Sequence, residues 1–206
     1  MTRTSNLQEP AGAVTRARRA DAQRNVERLV AAARDAFAVH GPGAPLDDIA
    51  RAAGVGPGTL YRHFPTRLAL FEAVYRDSVE RLCADGPRLS ATESPADALI
   101  DWLRGFVRVV SQKRGLAGAL TEEGRTSEVF AQCHAMINAT GGELLDRAKA
   151  AGAIRDDVAL DDVLKMAKAF AIAGESSPEG PVLGERLLVL AMDGLRPRRT
   201  GAANQV

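Results

Sequence analysis

Cysteine, aromatic residues and long apolar runs are all scarce in this chain of 206 residues: two cysteines, 4% aromatics, and charges that nearly cancel, with 27 Lys plus Arg against 26 Asp plus Glu. Cys83 and Cys133 share no paired spacing, which excludes a disulfide framework and a cysteine-rich structural zinc site. No apolar run approaches the ~20 residues that span a bilayer, and residues 1–9 are polar, without the apolar centre of a secretory signal. The expectation is a cytoplasmic protein with no membrane partner. The three histidines form no HExxH pattern, and there is neither a phosphate-cradling glycine loop nor a serine-nucleophile elbow. No metal, no cofactor and no enzymatic activity are therefore expected. The absence of a 20–50-residue repeat argues against a solenoid. At this length a folded chain buries roughly 70% of its unfolded surface, enough for one large domain or two small ones.

The near-zero net charge hides a gradient. Residues 1–67 carry ten arginines against six acidic residues, a surplus of four, and the remainder carries 17 basic against 20 acidic residues. A basic front third fits an anionic partner and equally fits a solvated surface.

Along the chain the apolar residues repeat at helical spacing. Residues 1–19 are polar and aperiodic and read as a flexible basic arm carrying Arg16, Arg18 and Arg19. From residue 21, Val26, Leu29, Val30, Ala33 and Phe37 line one helix face, stopped by His40, Gly41 and Pro42. A short helix over about 46–53 ends at Gly54, and Pro57 suits the first position of another, closed by Pro65. Thr66 is a fitting N-cap for a fourth helix that reaches about residue 84, before a loop marked by Gly86 and Pro87. Beyond residue 95 no alternating strand pattern occurs. Helical stripes run through Leu99, Trp102, Phe106 and Val110, around Leu116 and Leu120, through Phe130, Cys133, Ile137 and Leu144 up to Gly152, and over about 160–175 and 182–195. The expectation is an all-α protein of about nine helices: a helix-turn-helix domain over 20–84, a helical domain over 85–196, and a disordered tail over 197–206.

The segment from Leu46 to Phe64 carries the functional signal. Two short helices flank a glycine-containing turn, the layout of a helix-turn-helix. With Leu60 and Phe64 turned inward, helical geometry puts Thr59, Tyr61, Arg62 and His63 at or beside the outward face, all able to hydrogen-bond phosphates or base edges. Gly58 lets backbone N–H groups near the helix start approach a phosphate. For Tyr61 and His63 taken alone, ordinary surface or loop-capping roles serve as well.

The run Ile49-Ala50, Ala53-Gly54-Val55-Gly56, Gly58-Thr59-Leu60-Tyr61, His63-Phe64 and Arg67 closely resembles the DNA-binding signature of TetR-family regulators. The resemblance covers about the first 84 residues. The pattern 101–106 followed by Lys113-Arg114-Gly115-Leu116 resembles the SbtR-type effector domains of that family. Gly56 stands where a Ser or Thr commonly opens the recognition helix, Arg67 where a Lys opens the next, and Ala44-Pro45-Leu46 where a Ser or Thr starts the second helix. The resemblance implies a homeodomain-like three-helix unit and a homodimeric repressor on a palindromic operator of double-stranded DNA. It assigns Arg62 and Thr59 to base contacts, Tyr61, His63 and Arg67 to phosphates, and Arg16, Arg18, Arg19 and Arg24 to the backbone or minor groove.

Two apolar stripes near the C-terminus need something to pack on: Val163, Ala167, Phe170, Ala171 and Gly174, then Leu183, Leu187, Leu190, Ala191 and Leu195. The resemblance implies pairing with their copies in a four-helix bundle; burial within one chain is the alternative. Trp102, Phe106, Phe130, Cys133, Ile137, Met166 and Phe170, with His134 and Glu143 nearby, are candidates for a mainly apolar effector cavity, and equally for plain core. Gly141 and Gly142 mark either a kink or a break. Cys133 and His134, adjacent on a helix and about 100° apart, are poorly placed as a catalytic dyad. Cys133 as a redox-sensing thiol and an effector-free architectural DNA-binding protein remain the alternatives.

Overall fold

In a computed structural model the described residues, 11–117, 127–175, 177 and 179–197, contain eight α-helices and no strand. The helices are α1 (Ala11–His40), α2 (Leu46–Ala52), α3 (Pro57–His63), α4 (Arg67–Thr92), α5 (Pro95–Ala117), α6 (Glu128–Ala150), α7 (Leu160–Glu175) and α8 (Pro181–Gly194). Residues 1–10 and 198–206 and position 120, on which parts of the expected arm, tail and a short stripe fall, lie outside the described residues. No helix among the described residues is long and apolar enough to cross a membrane. The chain divides into two compact units, Met1–Val74 and Tyr75–Val206.

In the first unit the expected stripe of α1 is core, with Leu29, Ala33 and Phe37 buried, as are Ile49, Ala50, Leu60 and Phe64 of the same unit. The helix begins at Ala11, so residues 11–19, read above as arm, are its first turns. Alanine and arginine are among the strongest helix formers, and a polar segment rich in both needs no apolar face to be helical. Thr66 caps α4, its Oγ1 accepting from the Ala69 N–H at 3.0 Å.

The second unit corrects two boundaries. α4 continues past Gly86 and Pro87 to Thr92. A Cβ on Gly86 would stand 2.5 Å from Thr140 Cγ2, so the glycine serves close packing of α4 on α6 and does not mark a loop. α6 likewise runs unbroken through Gly141 and Gly142, and a Cβ at Gly141 would meet the Trp102 ring at 2.9 Å. Trp102 is fully buried there, donates from Nε1 to the Leu82 carbonyl at 3.1 Å, and stacks on Phe106 with ring centroids 6.0 Å apart. Ser94 and Ser127 cap α5 and α6 through bonds from Asp97 N and Val129 N. Gly152, at φ +65°, ends α6 as the sequence indicates.

Candidate nucleic-acid interface

The turn between α2 and α3 follows from Gly54. Its N–H donates to Arg51 O and the Val55 N–H to Ala50 O, each at 3.0 Å, the paired bonds of a left-handed helix cap. Gly54 adopts φ +67°, a conformation that costs an L-residue with a Cβ roughly 1–2 kcal/mol. Gly56 then starts α3 in extended conformation with no side-chain cap, and Pro57 fills the first helical position, where its missing N–H is no loss. Space is open around Gly56, so its lack of a side chain reflects no steric need.

α3 is seven residues long and is anchored by Leu60 and, at its end, Phe64, both buried. Tyr61 and Arg62 are exposed, Tyr61 by 49% despite its size. Arg62 has no hydrogen bond or ion pair among the described residues, which leaves its five donors available. Gly58 is exposed with nothing within 4 Å of a would-be Cβ. Thr59 and His63 are half-buried, and the His63 Nε2 is buried without a hydrogen-bond partner, so this imidazole is less outward than helical spacing suggests. On α1, Arg19 and Arg24 are exposed, Arg24 in an ion pair with Asp21; the side chains of Arg16 and Arg18 lie outside the described residues.

Arg67, expected at a phosphate, is engaged within the chain. Its Nη1 donates to Pro42 O at 2.8 Å and Ala44 O at 2.6 Å, tying the start of α4 to the tight turn after α1. Pro42 lies in the single 3-10 turn Gly41–Gly43 and Ala44 caps it, so the guanidinium holds the connection between α1 and α2.

The C-terminal expectations divide in a similar way. In the second unit a cavity of about 490 Å³ opens among α4, α5, α6 and α7. Of the eight residues proposed for ligand contact, Phe106, His134 and Ile137 line it. Trp102, Phe130 and Cys133 are core instead, with Phe130 packed on Tyr75 at 5.2 Å between ring centroids. Met166 and Phe170 are half-buried and, like Glu143, are not among its walls. The walls that the sequence reading missed are the apolar Val110, Leu164 and Ile172 and the polar Tyr75, Asn138, Asp161 and Lys168. Burial, and next the nearby Cys133, push the Tyr75 phenol above its ordinary range, so it stays protonated. Burial also raises the Cys83 thiol, with the Thr140 hydrogen bond acting the other way. A larger groove bounded by α4, α5 and α8, about 820 Å³, is lined by arginines and carboxylates, among them the pairs Arg88–Asp85 and Arg108–Glu185. Arg104 is paired there too, with Asp101, while the Glu93 Oε2 is buried without a hydrogen-bond partner.

The α7 stripe expected at a subunit interface is interior to one chain: Val163, Ala167 and Ala171 are buried. A Cβ on Gly174 would stand 2.7 Å from Gly180 O, and one on Gly184 2.9 Å from Phe170 O, so these small residues bring α7 and α8 of the same chain together. On α8, Leu183, Leu187 and Ala191 are half-buried, as is Leu195 just after it, and Leu190 is 65% exposed.

Comparison with known proteins bears on both units. Residues 29–74 match the model described as bacterial regulatory proteins of the TetR family, and residues 94–197 match that of the SbtR-like transcriptional regulator C-terminal domain. No curated protein matches the chain. A TetR transcriptional regulator of Streptomyces coelicolor is 41% identical, with 84% of this chain and 99% of that one covered and a TM-score of 0.73. A TetR regulatory protein of Mycobacterium vanbaalenii is 40% identical, with 87% and 99% covered and a TM-score of 0.66. Taken with the glycine-capped turn and the exposed face of α3, these likenesses establish that the chain belongs to the TetR family of transcriptional regulators, with a C-terminal domain of the SbtR-like kind.

Proposed function

We propose that the protein is a homodimeric repressor that binds a palindromic operator through α3 and is released by a small ligand held in the second unit. The observation that carries the DNA reading is the exposed, unpaired Arg62 beside Tyr61 on a helix anchored by Leu60 and Phe64. Arg62 and Thr59 read base edges, a guanidinium suiting the paired acceptors of guanine. Tyr61, with the backbone at Gly58, contacts phosphates, as does His63 through its nitrogen other than the buried Nε2. Arg16, Arg18, Arg19 and Arg24 of α1 supply sequence-independent attraction to the backbone. Arg67 positions the unit and does not touch DNA.

Dimerisation uses the solvent-facing side of α8, where Leu190 is exposed and Leu183, Leu187 and Ala191 are half-covered; α7 contributes backing and not its buried stripe. Ligand binding must favour an arrangement of the two subunits that no longer fits successive major grooves, since equal affinity for both states shifts nothing. The redox alternative loses support because Cys133 is fully buried, beyond reach of an oxidant in the folded protein.

Selection of bound sequences from random DNA tests the reading. The expected result is a palindrome whose half-sites are about one helical turn apart, ~34–36 Å, or somewhat more on stretched DNA. Enrichment of a single half-site, or of none, would overturn it. Light scattering at micromolar concentration should give twice the chain mass.

A further inference from the structure

The cavity in the second unit has an electrostatic bias that composition hides. Its floor is apolar, formed by Phe106, Ile137 and Leu164, and its charged side chains are Asp161 and Lys168 of α7. These two are not equivalent. Asp161 is held by Lys165 at 2.6 Å, one turn along the same helix, whereas Lys168 has no ion pair or hydrogen bond among the described residues. Both are exposed at the cavity mouth, the acid in an ion pair and the ammonium without one. The remaining titratable walls are His134 and Tyr75, the latter kept neutral by burial.

Position along the helices adds a length. Gly141 of α6 lies against Leu160 at the start of α7, where a Cβ would stand 3.2 Å from the Leu160 Cδ1. Counting from that contact at ~1.5 Å per residue, His134 lies ~10 Å back along α6 and Lys168 ~12 Å forward along α7. His134 and Lys168 both line the cavity. Asn138 and the paired Asp161 line it as well, Asp161 ~10 Å from Lys168 along α7.

Resting on the effector reading above, we infer that the ligand of this cavity is an amphipathic monoanion, a carboxylate with an extended apolar body about 10 Å long, its head group on Lys168 and its body over Phe106, Ile137 and Leu164. One lysine suits a singly charged head group; a phosphate dianion calls for further cations, and the cavity wall offers none beyond the His134 imidazole. An ammonium ligand would meet the unpaired Lys168.

Isothermal titration of the full chain with octanoate, 1-octanol and octylamine tests this, because the three share a body and differ in head group. Octanoate should bind about tenfold more tightly than octanol, and octylamine no more tightly than octanol. In Lys168→Gln the gap between octanoate and octanol should shrink to within about twofold. Should that variant also melt earlier, Lys168→Arg, which keeps the charge, must retain the gap. Equal binding of octanoate and octanol by the unmodified protein, or a gap that survives Lys168→Gln, overturns the anionic head group while leaving an apolar effector cavity in place. Failure of all three to bind overturns the inference and the cavity reading together, whereas the DNA reading stands or falls separately on the selected operator.

Discussion

Both units use left-handed turn glycines, Gly41 and Gly54 in the first and Gly152 and Gly180 in the second, but close-packed helix glycines occur among the described residues only in the second. In the first, Gly41 and Gly54 supply left-handed backbone at turns, and none of the described glycines has a neighbour closer than 3.4 Å to a would-be Cβ. In the second, five glycines inside helices, at 86, 105, 141, 174 and 184, would each bring a Cβ within 3.0 Å of a neighbouring side chain or backbone. A turn glycine is a local device and shows in the sequence through its Pro and helix-boundary neighbours. A packing glycine is defined by an atom far along the chain, and nothing adjacent reveals it. Hence the turn before α3 was read correctly, while Gly86 and Gly141 were read as a loop and a kink or break.

The contrast can be broken most forcefully in the second unit. Trp102→Ala removes the ring that fills the space over Gly141 and leaves Leu82 O without its indole donor. A loss of ~3–5 kcal/mol in urea denaturation is expected. A loss below about 1 kcal/mol would mean that the site collapses around the gap. Gly174→Ala sets a methyl against the Gly180 carbonyl and should cost ~1–3 kcal/mol.

In the first unit the corresponding tests concern binding. Arg62→Ala should weaken operator binding by ~1–3 kcal/mol and relax base preference, with less effect on random DNA. Equal loss on both would make Arg62 a phosphate contact. Arg67→Ala separates positioning from contact. It should destabilise the fold by ~1–3 kcal/mol, because two carbonyls lose a charged donor, yet leave the slope of log affinity against log salt unchanged. A slope reduced by about one unit would restore Arg67 to the phosphates. The smallest effect is expected at Gly58→Ala, which has open space and should gain up to ~1 kcal/mol of stability while weakening operator binding if backbone approach to a phosphate matters.

Legibility followed the range of the interactions. The α3 surface was visible because one residue in a short helix can be placed from its neighbours: with Leu60 inward, Tyr61 and Arg62 must be out. His63 was placed less well, since its depth depends on the rest of the unit and not on the helical period alone. The bonds from Arg67 to Pro42 O and Ala44 O could not be read in advance, because those acceptors are more than twenty residues away and are backbone atoms that carry no sequence signature. In the C-terminal unit the stripes located the helices but could not say which apolar residue faces a cavity and which is core. Met166, Phe170 and Trp102 share the chemistry of Phe106 and differ only in place.

The sequence by itself determined an all-helical chain, the glycine-capped turn, the capping of α4 by Thr66 and the family of the DNA-binding unit, because helix period, caps and turns depend on residues within one or two turns of each other. Tertiary structure decided the extent of α4, the burial of the α7 stripe within one chain, the structural duty of Arg67 and the lone ammonium of Lys168 beside an apolar floor. Each of these depends on the close approach of segments distant in the chain, and packing at that range is set by shape and leaves no local period to read.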